Sequence, residues 1–139
     1  MLALAFASAF RPQEHCRCPF CASRLAGHFD ALGIGPGDNV ALYLHNCPEY
    51  LESTFAAFKV RAATVNVNYR YGPEELAYVL ADASAAAVVY QRCFSDTLAA
   101  ALDLLPHRPL LICVDDDTDH PLLEGALDYE AALAGASAE

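Results

Sequence analysis

Residues 27–82 read GHFDALGIGPGDNVALYLHNCPEYLESTFAAFKVRAATVNVNYRYGPEELAYVLAD, and this stretch decides the fold. At its start Leu25, Phe29 and Leu32 recur at spacings of four and three. That places them on one face of a helix beginning at Ala22, with Gly33 as its stop. Gly35-Pro36-Gly37-Asp38 is a turn, and the apolar run Val40 to Leu44 suits a strand buried on both faces. Asn46 or Cys47 caps the next helix, with Pro48 and Glu49 in its first turn, where a missing N–H costs nothing and a carboxylate meets the positive end of the dipole. Its expected inner face is Leu51, Phe55 and Phe58. Ala63 to Tyr69 alternates with period two, which marks a strand with Thr64, Asn66 and Asn68 on one side. Gly72-Pro73-Glu74-Glu75 opens a third helix that packs through Leu76, Val79 and Leu80.

Beyond this stretch the pattern continues. Ala86 to Tyr90 is a third strand, Ser95 caps a fourth helix carrying Leu98, Leu102 and Leu105, and Pro106 ends it. Leu110 to Val114 is a fourth strand, followed by an acidic loop from Asp115 to Pro121 and a helix near Tyr129 to Ala134. Strands and helices alternating through short connections predict an α/β fold, a partial doubly wound parallel sheet with right-handed crossovers. Residues 1–21 show neither period and are expected to form a separate unstructured segment, leaving residues 22–139 as the α/β portion.

Composition narrows the function classes. The chain has 139 residues, 55% hydrophobic and 19% charged, which is enough for one packed domain. Eighteen acidic residues against eight basic ones give a net charge of −10. No basic face exists to neutralise phosphates in series, so nucleic acid and anionic membranes are not expected partners. Lys59 sits in Ala-Ala-Phe-Lys-Val-Arg and not in a Gly-x-x-x-x-Gly-Lys-Ser/Thr loop. The apolar start, Met1 to Phe10, lacks a positive region before it and is broken by Arg11 and Pro12. It is read neither as an export signal nor as a membrane span, and a cytoplasmic location is expected.

Several motifs resolve into ordinary structure. Gly33, Gly35 and Gly37 imitate a dinucleotide fingerprint, yet they follow a helix and precede a strand, the reverse of what a pyrophosphate site needs. His15, Cys16, Cys18 and Cys21 offer four zinc-ligand types, but they crowd into seven residues without a second ligand pair. Cys47, Cys93 and Cys113 read as buried free thiols. Asp115, Asp117 and Asp119 match the opening of a calcium loop, but His120 stands where Gly is required and Ala126 where Glu is required. Glu74 and Glu75 diverge as helical neighbours and read as first-turn charges. No Gly-x-Ser-x-Gly is present. Asn66 and Asn68 are the suggestive pair, because the carboxyl end of a parallel strand faces the crevice where such sheets bind ligands; capping of the following loop is the simpler role.

The pieces Arg24-Leu25-Ala26, Gly33-Ile34-x-x-Gly37-Asp38, Asn46-x-Pro48-Glu49-Tyr50, Phe58-Lys59-Val60-Arg61-Ala62, Val67-Asn68-Tyr69-Arg70 and Glu75-Leu76-x-Tyr78-x-Leu80-x-Asp82 together carry a family. In them the chain resembles the N-terminal region of adenylate-forming (AMP-binding) acyl-CoA synthetases, above all the long-chain fatty-acid and sterol-side-chain CoA ligases of actinobacteria. The resemblance implies an enzyme that activates a carboxylic acid with ATP and Mg²⁺ to an acyl-adenylate, releases pyrophosphate, and passes the acyl group to the thiol of coenzyme A. It also implies that the phosphate loop with its lysine, the adenine-side Thr-Glu, the ribose-binding Asp and the C-terminal lysine lie past Glu139. Catalytic, cofactor-binding and metal residues are therefore assigned to none of these positions, and an N-terminal fragment inactive by itself is expected. Family members approach Arg24 through a Thr-Tyr-x-Glu-Leu-type segment; Cys-Arg-Cys-Pro-Phe-Cys in its place implies a shifted start or reading frame for the first 22 residues. The competing expectation is a stand-alone α/β binding or regulatory module, with zinc on the cysteine-rich tail.

Overall fold

The computed structural model describes residues 17–135. Five strands form one parallel sheet in the order β2-β1-β3-β4-β5. In chain order the elements are α1 (Arg17–Ala31), β1 (Asn39–Tyr43), α2 (Pro48–Lys59), β2 (Ala63–Asn66), α3 (Pro73–Asp82), β3 (Ala85–Gln91), a 3₁₀ turn (Arg92–Phe94), α4 (Ser95–Leu102), β4 (Leu110–Val114), β5 (Leu127–Asp128) and α5 (Tyr129–Gly135). Every pairing is parallel, from Val40 beside Thr64 on one side of β1 to Ile112 beside Leu127 on the far side of β4.

Period-two geometry in the central strands divides the core into two layers. Val40, Leu42, Ala87, Val89, Ile112 and Val114 face α1, α2 and α5. The intervening Ala41, Tyr43, Val88, Tyr90, Leu111 and Cys113 face α3 and α4. Covering both faces of a parallel sheet with helices is the doubly wound arrangement expected from the alternation.

Local chemistry sets the joints. At the end of α1 the Ile34 N–H donates to Phe29 O (2.9 Å) and the Gly33 N–H to Asp30 O (3.0 Å). Gly33 has φ +82°, so this is a Schellman cap, with buried Ile34 and Phe29 in one cluster as its apolar contact. Gly37, at φ +88°, takes the left-handed place of a type II turn behind Pro36, and the Asp38 carboxylate accepts from Gly35 N–H (2.9 Å). The three glycines thus serve a cap and a turn. The Gly72 N–H donates to Glu75 Oε2 (3.1 Å), so Glu75 acts as a first-turn charge at the start of α3.

Five expectations are corrected. First, α1 begins at Arg17 and not at Ala22, which brings Cys21 into the core as a buried residue; residues 1–16 lie outside the described chain. Second, Leu51, Phe55 and Phe58 do not line the inside of α2: they are about half exposed (51%, 48% and 55%), and Glu52, Ser53, Ala56 and Ala57 are buried instead. Small residues let α2 approach its neighbours closely, and the large ones turn outward. Third, β2 stops at Asn66; Val67 still donates to Leu42 O, but Asn68 leaves the ladder to form a turn with Arg70 and Tyr71. Fourth, Ser95 is the first helical residue and not the cap: the 3₁₀ turn precedes it, and its hydroxyl donates to Arg92 O (2.6 Å). Leu32 also faces solvent more than expected, Ile34 taking its core place.

The short helix α5 is held by polar contacts. Tyr129 donates its hydroxyl to Glu52 Oε2 at 2.6 Å, both side chains being fully buried. The Arg24 guanidinium donates to Leu133 O (3.2 Å), and Asp128 Oδ2 accepts from the Ala131 N–H (3.0 Å) at the start of the helix. Removing the hydroxyl by Tyr129→Phe leaves a buried carboxyl oxygen without that donor. Destabilisation by about 1–3 kcal/mol is expected, read from the urea midpoint; an unchanged midpoint would show that the contact contributes nothing net.

Ionisation adds two further expectations. Burial pushes the phenols of Tyr43, Tyr90 and Tyr129 up from the usual value, and for Tyr129 the hydrogen bond to Glu52 acts in the same direction. A raised folded pKa stabilises below the unfolded value and is lost as pH rises, so resistance to urea is expected to fall once pH passes about 10. Burial also pushes the Cys47 thiol up to about 11 and the Cys93 thiol up to about 12. Both are free thiols, as are Cys21 and Cys113. At pH 8 alkylation of Cys47, followed by mass spectrometry, is expected to run about two orders of magnitude slower than that of an unperturbed cysteine.

Candidate functional site

The connections of β1 define where a site can form. From β1 the chain leaves through α2, on one face, to reach β2; from β2 it returns through α3, on the other face, to reach β3. The strand order reverses between β1 and β3, and on the other side of β1 the chain leaves β1 and β2 toward opposite faces of the sheet, outside their carboxyl ends. A cleft of about 410 Å³ lies there, between the residues following β1 (Leu44, His45 and Asn46) and those closing β2 (Asn66 to Tyr69), with Tyr50 and Tyr71 at its sides.

Aromatic rings and one amide bind the crevice edge together. The His45 ring stands 4.6 Å from Tyr69 and 4.8 Å from Phe94, and Tyr43 stacks on Phe94 at 4.6 Å. The His45 N–H donates to Gln91 Oε1 (2.6 Å), tying the end of β1 to the end of β3. The Arg70 guanidinium covers the Tyr69 ring at 5.8 Å. Amides, an imidazole and phenols line the cleft, and no carboxylate or guanidinium is among them. Such a surface can stack against a flat group and exchange neutral hydrogen bonds with it, but it carries no charge to hold a phosphate and no nucleophile beside a base.

Of the residues singled out in the sequence, Asn66 and Asn68 both line this cleft. Asn68 Oδ1 also accepts from the Arg70 N–H (3.0 Å), so it performs the loop-capping role as well. His45, Tyr69, Gln91 and Phe94 were not anticipated. The usable signal was the position of His45 and Asn46, directly after the apolar run that ends at Leu44.

The acidic loop organises itself internally. Asp116 Oδ2 accepts from the Cys93 N–H (2.9 Å), and Asp116 Oδ1 accepts from the Thr118 hydroxyl (2.6 Å). Burial works against the Asp116 carboxylate, but the hydrogen bonds from Cys93 and Thr118 outweigh it and hold its carboxyl below the usual value. Asp115 accepts from the Asp117 N–H (3.1 Å) and lies 3.6 Å from Arg92, while His120 stands 3.5 Å from Asp96. Glu74 and Glu75 are exposed at the start of α3, and neither lines the cleft. His15 and Cys16 lie outside the described residues, as does the side chain of Cys18; Cys21 faces the core. Among the described residues no group of three or more His, Cys, Asp or Glu is placed to hold a metal ion, and no helix is long and apolar enough to cross a membrane.

Comparison with known proteins gives this geometry a lineage. The profile of the family described as AMP-binding enzyme matches residues 21–135. The 3-oxocholest-4-en-26-oate–CoA ligase of Rhodococcus rhodochrous is 37% identical over 137 residues, covering 98% of this chain and 25% of that protein. The medium-chain acyl-CoA ligase Mig of Mycobacterium avium is 43% identical over 131 residues, covering 85% and 24%. The chain therefore spans about a quarter of the length of the curated relatives it matches. In fold, it is similar to an acyl-CoA synthetase of Brucella canis, with a TM-score of 0.76 at 25% identity over 87% of this chain and 21% of that one. The anthranilate CoA ligase AuaEII, solved with anthranoyl-AMP, gives 0.78 at 21% identity over 87% and 23%, a likeness of fold alone. With its doubly wound sheet and a family match across nearly all of the described residues, the chain belongs to the AMP-binding enzyme family, as an N-terminal fragment relative to the CoA ligases it matches.

Proposed function

We propose that this chain is the N-terminal portion of an ATP-dependent acid–CoA ligase acting on a fatty acid or a related lipid acid, and that it is inactive by itself. The observation that carries the reading is its similarity, at 37% and 43% identity, to ligases named for a 3-oxocholest-4-en-26-oate and a medium-chain acyl group, across about a quarter of their length. The parent reaction joins a carboxylate to AMP, releases pyrophosphate, and moves the acyl group to the thiol of coenzyme A, with Mg²⁺ in the first half. The residues present do not fit those groups. Lys59, the single lysine, closes α2 beside Phe58 and Val60 and belongs to no Gly-x-x-x-x-Gly-Lys-Ser/Thr loop. The carboxylates of Asp115 and Asp116 are held by Arg92, Cys93 and Thr118. No catalytic step is assigned to this chain, and catalytic, cofactor-binding and metal residues are proposed for none of its positions. The α/β portion is taken to begin with α1 at Arg17, and the cytoplasm is taken as its compartment.

The polar, aromatic cleft beside β1 supports a second reading, a non-catalytic binding or regulatory module. Both readings predict a chain without catalysis, and one assay tests that. Purified 139-residue chain is expected to give no acid-dependent ATP–pyrophosphate exchange with medium-chain, long-chain or sterol-side-chain acids. Exchange above a heat-denatured control would overturn the proposal of an inactive fragment.

A further inference from the structure

We draw no further inference here: the strongest candidate, the cleft of about 410 Å³ at the carboxyl ends of β1 and β2 walled by His45, Asn66, Asn68 and Tyr69, belongs to the site already described, and none of its polar side chains is buried or charged so as to single out one ligand chemistry.

Discussion

Burial of β1, β3 and β4 on both faces is the constraint from which the rest of this structure follows. A strand with no wet side must place every backbone N–H and C=O in the ladder, because an unpaired buried group costs about 1–3 kcal/mol. The parallel registers from Val40 to Tyr43 and from Ala87 to Gln91 meet that requirement. Two wholly covered faces then demand helices on each side, which forces the chain to cross over on alternate sides. The departure of the chain from β1 and β2 toward opposite faces, and with it the crevice at their carboxyl ends, is a by-product of that routing. A cleft therefore exists here for topological reasons, before any residue in it is chosen for chemistry.

The same constraint explains the inversion of α2. This helix must lie close to both α1 and the sheet, and Ser53, Ala56 and Ala57 supply the close approach. Glu52 is the exception, a full-sized polar side chain in the same layer. Its carboxyl group is tolerated because Tyr129 reaches it from α5. A short terminal helix that would otherwise fray is thereby joined to the middle of a longer one through a polar contact in an apolar layer, with Arg24 on the Leu133 carbonyl as a second tie.

Much of this was legible in the chain, and the failures have physical causes. β4 was bounded correctly from its apolar run, and the Pro36–Gly37 turn and the Gly33 cap from residue types that serve few other purposes. α2 misled because an apolar stripe of period 3.6 identifies a helix without saying which side is inside, and alanines on the other side offered an equally good, tighter surface. β5 escaped notice because two residues carry no period; Leu127 and Asp128 form a strand only because β4 presents an edge. The cleft was half visible: Asn66 and Asn68 were found by strand alternation, while His45, Tyr69 and Phe94 come together from three separate connections, a proximity that no local pattern encodes.

What remains is how the loops at the carboxyl ends of the sheet are used. In a doubly wound sheet, side chains that react come from loops at the carboxyl ends, and here those loops are occupied with structural work. Gln91 holds the His45 backbone, Asn68 caps its own turn, and Asp116 anchors the 3₁₀ turn through the Cys93 N–H. A group already engaged in fixing the backbone is poorly free to follow a charge that develops during a reaction, so these contacts favour a rigid rim over a reactive one. The chain is in this respect a frame. It forms the crevice wall at the carboxyl ends of β1 and β2, and its own polar residues keep that wall in position.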